Sequence, residues 1–170
     1  MRQVVEHPIA PVYDENSKIL ILGTMPSPMS RQCAFYYAHP QNRFWRILFA
    51  LLECPPSTDN NARRALCLSR GIALWDVLHS CTIKGASDAS IRDAIPNDIP
   101  RILAKANIRA IFTTGKTAGA LYRRLCEPDT GRAAVVLPSP SAANAAMRFD
   151  VLVEHYRVIL PYLDAAPTVI

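Results

Sequence analysis

"KILILG" at residues 18–23 runs directly into "TMPSP" at 24–28, and the reading of this junction decides the fold. Ile19, Leu20, Ile21 and Leu22 follow one another with no polar alternation, which predicts a strand buried on both faces, as in a parallel sheet. Gly23 and the prolines then end the strand and predict a tight loop. Three further stretches share the pattern: "GIALWDVL" at 71–78, "IRAIFTTG" at 108–115 and "RAAVVLPSPS" at 132–141. Each is expected to give way to polar or small residues and then to a helix.

The segments between these runs read as helices. Phe44, Ile47, Leu48, Leu51 and Leu52 form one apolar stripe on a helix spanning about 40 to 53, with Pro40 in its first turn. Shorter helices are expected at 58–70, 97–106 and 116–126, and Leu152, Tyr156, Ile159 and Leu163 mark the core face of a long final helix. Strands alternating with helices predict an α/β fold with a parallel sheet covered on both faces. The first dozen and the last half-dozen residues are expected to be loose.

At 170 residues the chain suits a single domain, 1–170, with a real core. Half of it is hydrophobic and 19% is charged, which argues against a largely disordered chain. The net charge is +5, and the only lysines are Lys18, Lys84, Lys105 and Lys116, so arginine dominates. That balance leans towards a polyanionic partner, because the guanidinium fork suits phosphate and base edges. The five cysteines are scattered without a CxxC pair or histidines at ligand spacing, so no metal site is expected and the thiols read as reduced. No signal peptide and no apolar run of roughly 18 residues is present, so the chain is expected to be cytoplasmic and to keep away from membranes.

Ligands of such sheets bind beyond the carboxyl ends of the strands, which places "GTMPSP", "WDVL", "TTGK" and "LPSPSAANA" on one rim. "YYAHPQNRFW" at 36–45 hangs from the first of these. His39 and Asn42 there read either as capping groups or, beside Tyr36 and Tyr37, as part of a site for a planar heterocycle. In "LPSPSAANA", Ser141 reads as a helix N-cap with Asn144 three residues on, either an ordinary connection or a stiff loop approaching a phosphate backbone. "TTGK" lacks the first glycine of a P-loop, so Lys116 and Thr117 face a phosphate or only solvent. Neither Ser27 nor Ser139 sits in a nucleophile elbow, and Cys33 near His39 makes a poor case for a thiol nucleophile.

The order "ILGTMPSP", "YYAHPQNRFW", "LWDVL" with "IKGASDASI", "IFTTGKTA" and "LPSPSAANA" resembles the uracil-DNA glycosylase superfamily over nearly the whole chain. Within it the sequence is most similar to the hypoxanthine-DNA (DNA-deoxyinosine) glycosylases, with "YYAHPQNRFW" the most specific piece. The resemblance implies a three-layer α/β/α sandwich with a short, mainly parallel sheet of about four strands. It implies a monofunctional glycosylase acting on double-stranded DNA with a deaminated base, as a monomer and without a cofactor. Two departures from the wider superfamily stand out. Met25 occupies the place where most branches carry a water-positioning Asp or Asn, and Leu137 and Ser141 stand where a histidine and a leucine wedge are common. Both departures match the hypoxanthine branch, whose catalytic asparagine carries over onto Asn42.

The resemblance further implies that Gly23, Thr24, Met25, Pro26 and Ser27 wall the base pocket, that Tyr36 or Tyr37 stacks on the base, and that His39 meets the base or braces the loop. Lys116, Pro138, Ser139, Pro140, Ser141 and Asn144 are expected on DNA, Arg43 at the surface or a phosphate, and Phe44 and Trp45 in packing. Trp75, Asp76 and Asp88 are shared with the family but carry no role from sequence, and no lysine matches a Schiff base. Uracil or xanthine as the target, a non-catalytic DNA- or nucleotide-binding module, and a small-molecule hydrolase are the competing readings.

Overall fold

The computed structural model describes residues 1–163. The four expected apolar runs form one parallel sheet from β2 (Ile19–Gly23), β3 (Ile72–Asp76), β6 (Ala110–Thr114) and β7 (Val135–Leu137), in the order β3-β2-β6-β7. β2 and β3 are buried at every position: β2 lies between two strands, and the outer edge of β3 is met by a bridge from Val12 to Leu74. From β2 the chain returns first to β3 on one side and later to β6 on the other. The order therefore reverses at β2, and a crevice opens where the flanking loops diverge.

Helices α2 (Phe44–Leu52), α3 (Asn60–Arg70), α4 (Ile99–Lys105) and α5 (Lys116–Leu125) flank the sheet, with α3 against β3 and α5 against β6 and β7. Asp59 caps α3 by accepting from the Asn61 amide at 2.9 Å, and Gly71 ends that helix with a left-handed φ of 79° that favours glycine. The apolar stripe predicted on α2 is buried from Phe44 to Leu52, and α7 (Phe149–Tyr156) packs against it. Two short helices complete the set, α1 (Pro28–Cys33) behind the first loop and α6 (Glu127–Thr130) after α5. No described helix is long and apolar enough to cross a membrane.

Several expectations need correction. The N-terminal dozen is not loose: β1 (Gln3–Glu6) pairs antiparallel with β4 (Leu78–Lys84), and Val12 bridges to Leu74. β4 in turn pairs with β5 (Ser87–Pro96), so "GIALWDVL" leads into a second, three-stranded antiparallel sheet and not into a helix. Its register shifts break the period-two pattern, and β5 is mostly exposed, so no apolar run announced it. α2 begins at Phe44, four residues after Pro40, because residues 37–43 are taken up in turns that shape the pocket. The final helix stops at Tyr156 and continues as a 3-10 segment, Arg157–Tyr162, with Pro161 inside it. The expected loose last half-dozen residues lie outside the described residues.

Candidate active site

A cavity of about 350 Å³ opens at the carboxyl ends of β2, β3 and β6, a size suited to a small ligand. Gly23, Thr24, Met25, Pro26 and Ser27 line one wall. Tyr36, Tyr37, His39 and Asn42 line a second, and Ser139, Pro140 and Ser141 close the rim. The sequence-predicted residues thus meet around one space, although the segments are up to about a hundred positions apart. Lys116, Pro138 and Asn144 do not line it: Lys116 is exposed at the start of α5, and the Pro138 carbonyl accepts from the Tyr156 hydroxyl at 2.7 Å.

The two tyrosines are held very differently. Tyr36 is only 2% exposed, and its hydroxyl donates to the Ala10 carbonyl at 2.9 Å, so its ring belongs to the core and backs the pocket. Tyr37 adopts a left-handed φ of 52°, a conformation that costs a non-glycine residue about 1–2 kcal/mol. It is held there by stacking on Phe44, at 3.9 Å between centroids and 19° between planes, and by a 3.0 Å bond between its hydroxyl and Thr114 Oγ1. Phe44 covers one face of this ring. Burial, with a further push from the Asp76 carboxylate, holds the Tyr37 hydroxyl well above the usual phenol range, so it stays protonated.

Asn42 sits half-buried at the mouth. Its Oδ1 accepts from the Phe44 amide at 2.9 Å, a local side-chain-to-backbone turn just ahead of α2, and that bond fixes the amide plane. A carbonyl oxygen has a second lone pair, which remains for a water or a ligand. Met25, also half-buried in the wall, offers only a thioether, a weak acceptor.

Arg43 is half-buried and bound within the protein. Its guanidinium gathers the carbonyls of the second loop: Met147 at 2.6 Å, Ser141 and Asn144 at 3.0 Å each, and Pro140 at 3.4 Å. Its backbone amide donates to Pro140 O as well, at 2.9 Å. The residues after Ser141 form turns, so the expected helix N-terminus at Ser141 is absent. Ser141 Oγ accepts from the Ala143 amide at 3.2 Å, and Asn144 Nδ2 donates to Ser139 O at 3.0 Å. Gly115, at φ 103°, lets this loop close on α5, since a methyl there would stand 3.3 Å from Ser139 Cβ.

Sequence reasoning gave no role to two carboxyl groups that reach the cavity. Asp76 ends β3 and is 4% exposed; its Oδ2 lies 2.7 Å from Nε2 of His7, whose side chain is 1% exposed. Gly23 makes room for it, because any Cβ there would collide with Asp76 Oδ1. Asp88 arrives on the β4–β5 hairpin, its Oδ2 accepting from Thr24 Oγ1 at 3.5 Å, and burial of the carboxyl pushes its pKa up. A lone carboxylate closing a buried apolar strand, as in "IALWD", was the available signal for Asp76. Thr114 at the end of β6, and Gln41 beside Asn42, complete the polar lining.

Residues 10–162 match the family model of the uracil DNA glycosylase superfamily. The hypoxanthine DNA glycosylase of Methanosarcina barkeri (strain Fusaro) is 35% identical over 136 residues, 79% of this chain and 85% of the relative. The hypoxanthine DNA glycosylase of Methanosarcina acetivorans is 35% identical over 135 residues, 78% of this chain and 84% of its own length. Among solved structures, a Methanosarcina acetivorans chain provisionally assigned as a uracil DNA glycosylase superposes with a TM-score of 0.76 at 28% identity. That match covers 93% of this chain and 99% of the other.

Proposed function

The chain belongs to the uracil DNA glycosylase superfamily, a family of enzymes that cut N-glycosyl bonds, and from that premise we propose that it releases hypoxanthine from deoxyinosine in duplex DNA. The single observation that carries the reading is Asn42 at the mouth of a pocket that Met25 also lines. The thioether of Met25 is too weak an acceptor to orient water, and the fixed amide of Asn42 takes that task.

The nucleotide flips out of the stack and enters base first, at a cost of a few kcal/mol that is lower at a mispair. Tyr37, pinned by Phe44 and Thr114, presents a rigid aromatic wall to the base. Asn42 Oδ1 accepts a hydrogen bond from one water and holds its oxygen towards C1′. The bond between C1′ and the base breaks with its electron pair leaving on the base, the water oxygen bonds to C1′, and the water's proton is released. An amide is a poor base, so its contribution is placement of the water as positive charge builds on the sugar.

The rim residues Ser139, Pro140 and Ser141 meet the DNA backbone beside the flipped nucleotide. The Arg43 guanidinium, which binds carbonyls of that loop, is its internal brace. Lys116 and Asn144 lie further out, on α5 and within the braced loop. The reading has the enzyme working as a cytoplasmic monomer with water as its only co-substrate.

The test is single-turnover release of free base from duplexes carrying one deoxyinosine, deoxyuridine or deoxyxanthosine. Hypoxanthine is expected to leave fastest, and Asn42→Ala to slow it by at least about 100-fold, the penalty of a misplaced nucleophile. Release of uracil alone would overturn the choice of base. An Asn42→Ala rate equal to wild type would overturn the assignment of the water.

A further inference from the structure

The Asp76 carboxylate is a deeply buried charged group of the pocket, 4% exposed, and a buried histidine is paired with it. The Ile9 amide donates to His7 Nδ1 at 3.3 Å. That nitrogen therefore carries a lone pair, and the ring proton resides on Nε2, from which it is donated to Asp76 Oδ2 at 2.7 Å. His7 is thus the donor that occupies one carboxylate oxygen. Among the described residues no protein donor reaches the other, Oδ1, which lies against Gly23 at the end of β2. His7 itself is walled in by Tyr36 and Trp75, with ring centroids at 6.1 and 6.5 Å, so the pair has one outlet, the cavity.

Depth in the pocket decides which part of a base meets this group. Asn42, His39 and Ser141 sit at the more exposed mouth, while Asp76, Tyr36 and Gly23 are almost fully buried at the floor. A nucleotide that enters base first keeps its sugar at the mouth and carries the edge remote from the glycosidic bond to the floor. For a purine that edge is N1 with the substituent on C6. Deamination of adenine changes it in one defined way: N1 gains a hydrogen, and the C6 amino group becomes a carbonyl.

We propose that Asp76 Oδ1, aimed by His7, is the acceptor that reads the ring N–H created by deamination, and so separates the damaged base from its amino parent. This rests on the glycosylase reading above. A carboxylate is acceptor-only, so it bonds to N1–H of hypoxanthine and opposes the N1 lone pair of adenine. A buried site built for one N–H rejects an analogue lacking it far more strongly than a pocket that merely fits its shape. His7 acts through Asp76 and is a positioning residue.

The test uses the full chain and duplexes with a single deoxyinosine or a single deoxynebularine, the purine nucleoside that lacks both N1–H and the C6 oxygen. Wild type is expected to favour deoxyinosine strongly in single-turnover rate. Asp76→Ala should lower hypoxanthine release by about 10- to 100-fold, the value of one charge-assisted bond, and leave the nebularine rate nearly unchanged. Asp76→Asn preserves the packing: with its oxygen still facing the His7 donor, it turns an NH₂ into the pocket, so the deoxyinosine-to-nebularine ratio collapses. His7→Leu should lower the same ratio, which a loss of stability alone does not do. An equal loss on both substrates, or an unchanged ratio in all three variants, overturns the inference and leaves the proposed function standing. No hypoxanthine release from wild type overturns the proposed function itself, and this inference with it.

Discussion

Replacing Arg43 with methionine keeps most of the side-chain stem and removes the guanidinium that holds the second loop together. Three of its bonds to loop carbonyls fall at 2.6 to 3.0 Å, and the fourth, at 3.4 Å, is too long to count heavily. A bond to a charged group is worth about 1.5–3 kcal/mol, so three would set a ceiling of about 5–9 kcal/mol. The real loss is smaller, because Ala142, Ala143, Ala145 and Ala146 are exposed and the freed carbonyls can take water. At about 0.5–1.5 kcal/mol net per bond, the expected cost is about 2–4 kcal/mol.

Part of that cost need not appear in global unfolding, since a surface loop can open while the sheet stays intact. Hydrogen exchange across residues 138–148 is therefore the sensitive assay. The amides of Asn144 and Met147, bonded to Ser141 O and Asn144 O, should lose protection by about 30-fold or more, as 2 kcal/mol of easier opening requires. Single-turnover base release should fall as well, because the Arg43 backbone amide joins Pro140 O to the residue directly after Asn42. Lysine should not rescue either effect, since one ammonium lacks the planar fork. Unchanged protection of this loop in Arg43→Met would refute the reasoning.

Gly23→Ala should cost about 1–3 kcal/mol of stability from overpacking, and more than tenfold in base release. The new methyl collides with Asp76 Oδ1, which the 2.7 Å bond to His7 prevents from moving aside; thermal melts beside a rate assay check this, and a normal rate would count against it. Asp88 carries a carboxyl whose folded-state pKa burial has raised. The folded state therefore holds its proton to higher pH than the unfolded chain, and stability is lost as pH rises from about 4 through the folded pKa. Asp88→Asn removes that loss, so its melting temperature relative to wild type should climb as pH rises from about 4 through the folded-state pKa; a constant difference would show that the group is not desolvated.

How much of this was legible in the sequence follows from the range of each interaction. Ile19–Gly23, Ile72–Asp76, Ala110–Thr114 and Val135–Leu137 announced themselves because a strand in a parallel sheet must be apolar, or nearly so, along its whole length. That local pattern, with the rule that ligands sit beyond the strand ends, also put "GTMPSP" and "LPSPSAANA" on one rim. "YYAHPQNRFW" was legible as a recognition segment by its chemistry, and the family by its order of motifs. The sequence alone did not separate Tyr36 from Tyr37. They are adjacent, and only the turn at φ 52° sends one into the core and keeps the other on the pocket.

What the tertiary structure decided are the pairings between distant, individually unremarkable residues. β5 has no apolar run, and its partner strand shifts register, so the antiparallel sheet exists only as pairing. Arg43 has the composition of a surface residue; four carbonyls about a hundred positions away make it a brace. His7 and Asp76 are separated by 69 positions, and neither implies the other. Periodicity and propensity report what a residue does to its own segment, whereas a buried polar group is satisfied by whichever donor the fold delivers, and that delivery is a property of three dimensions.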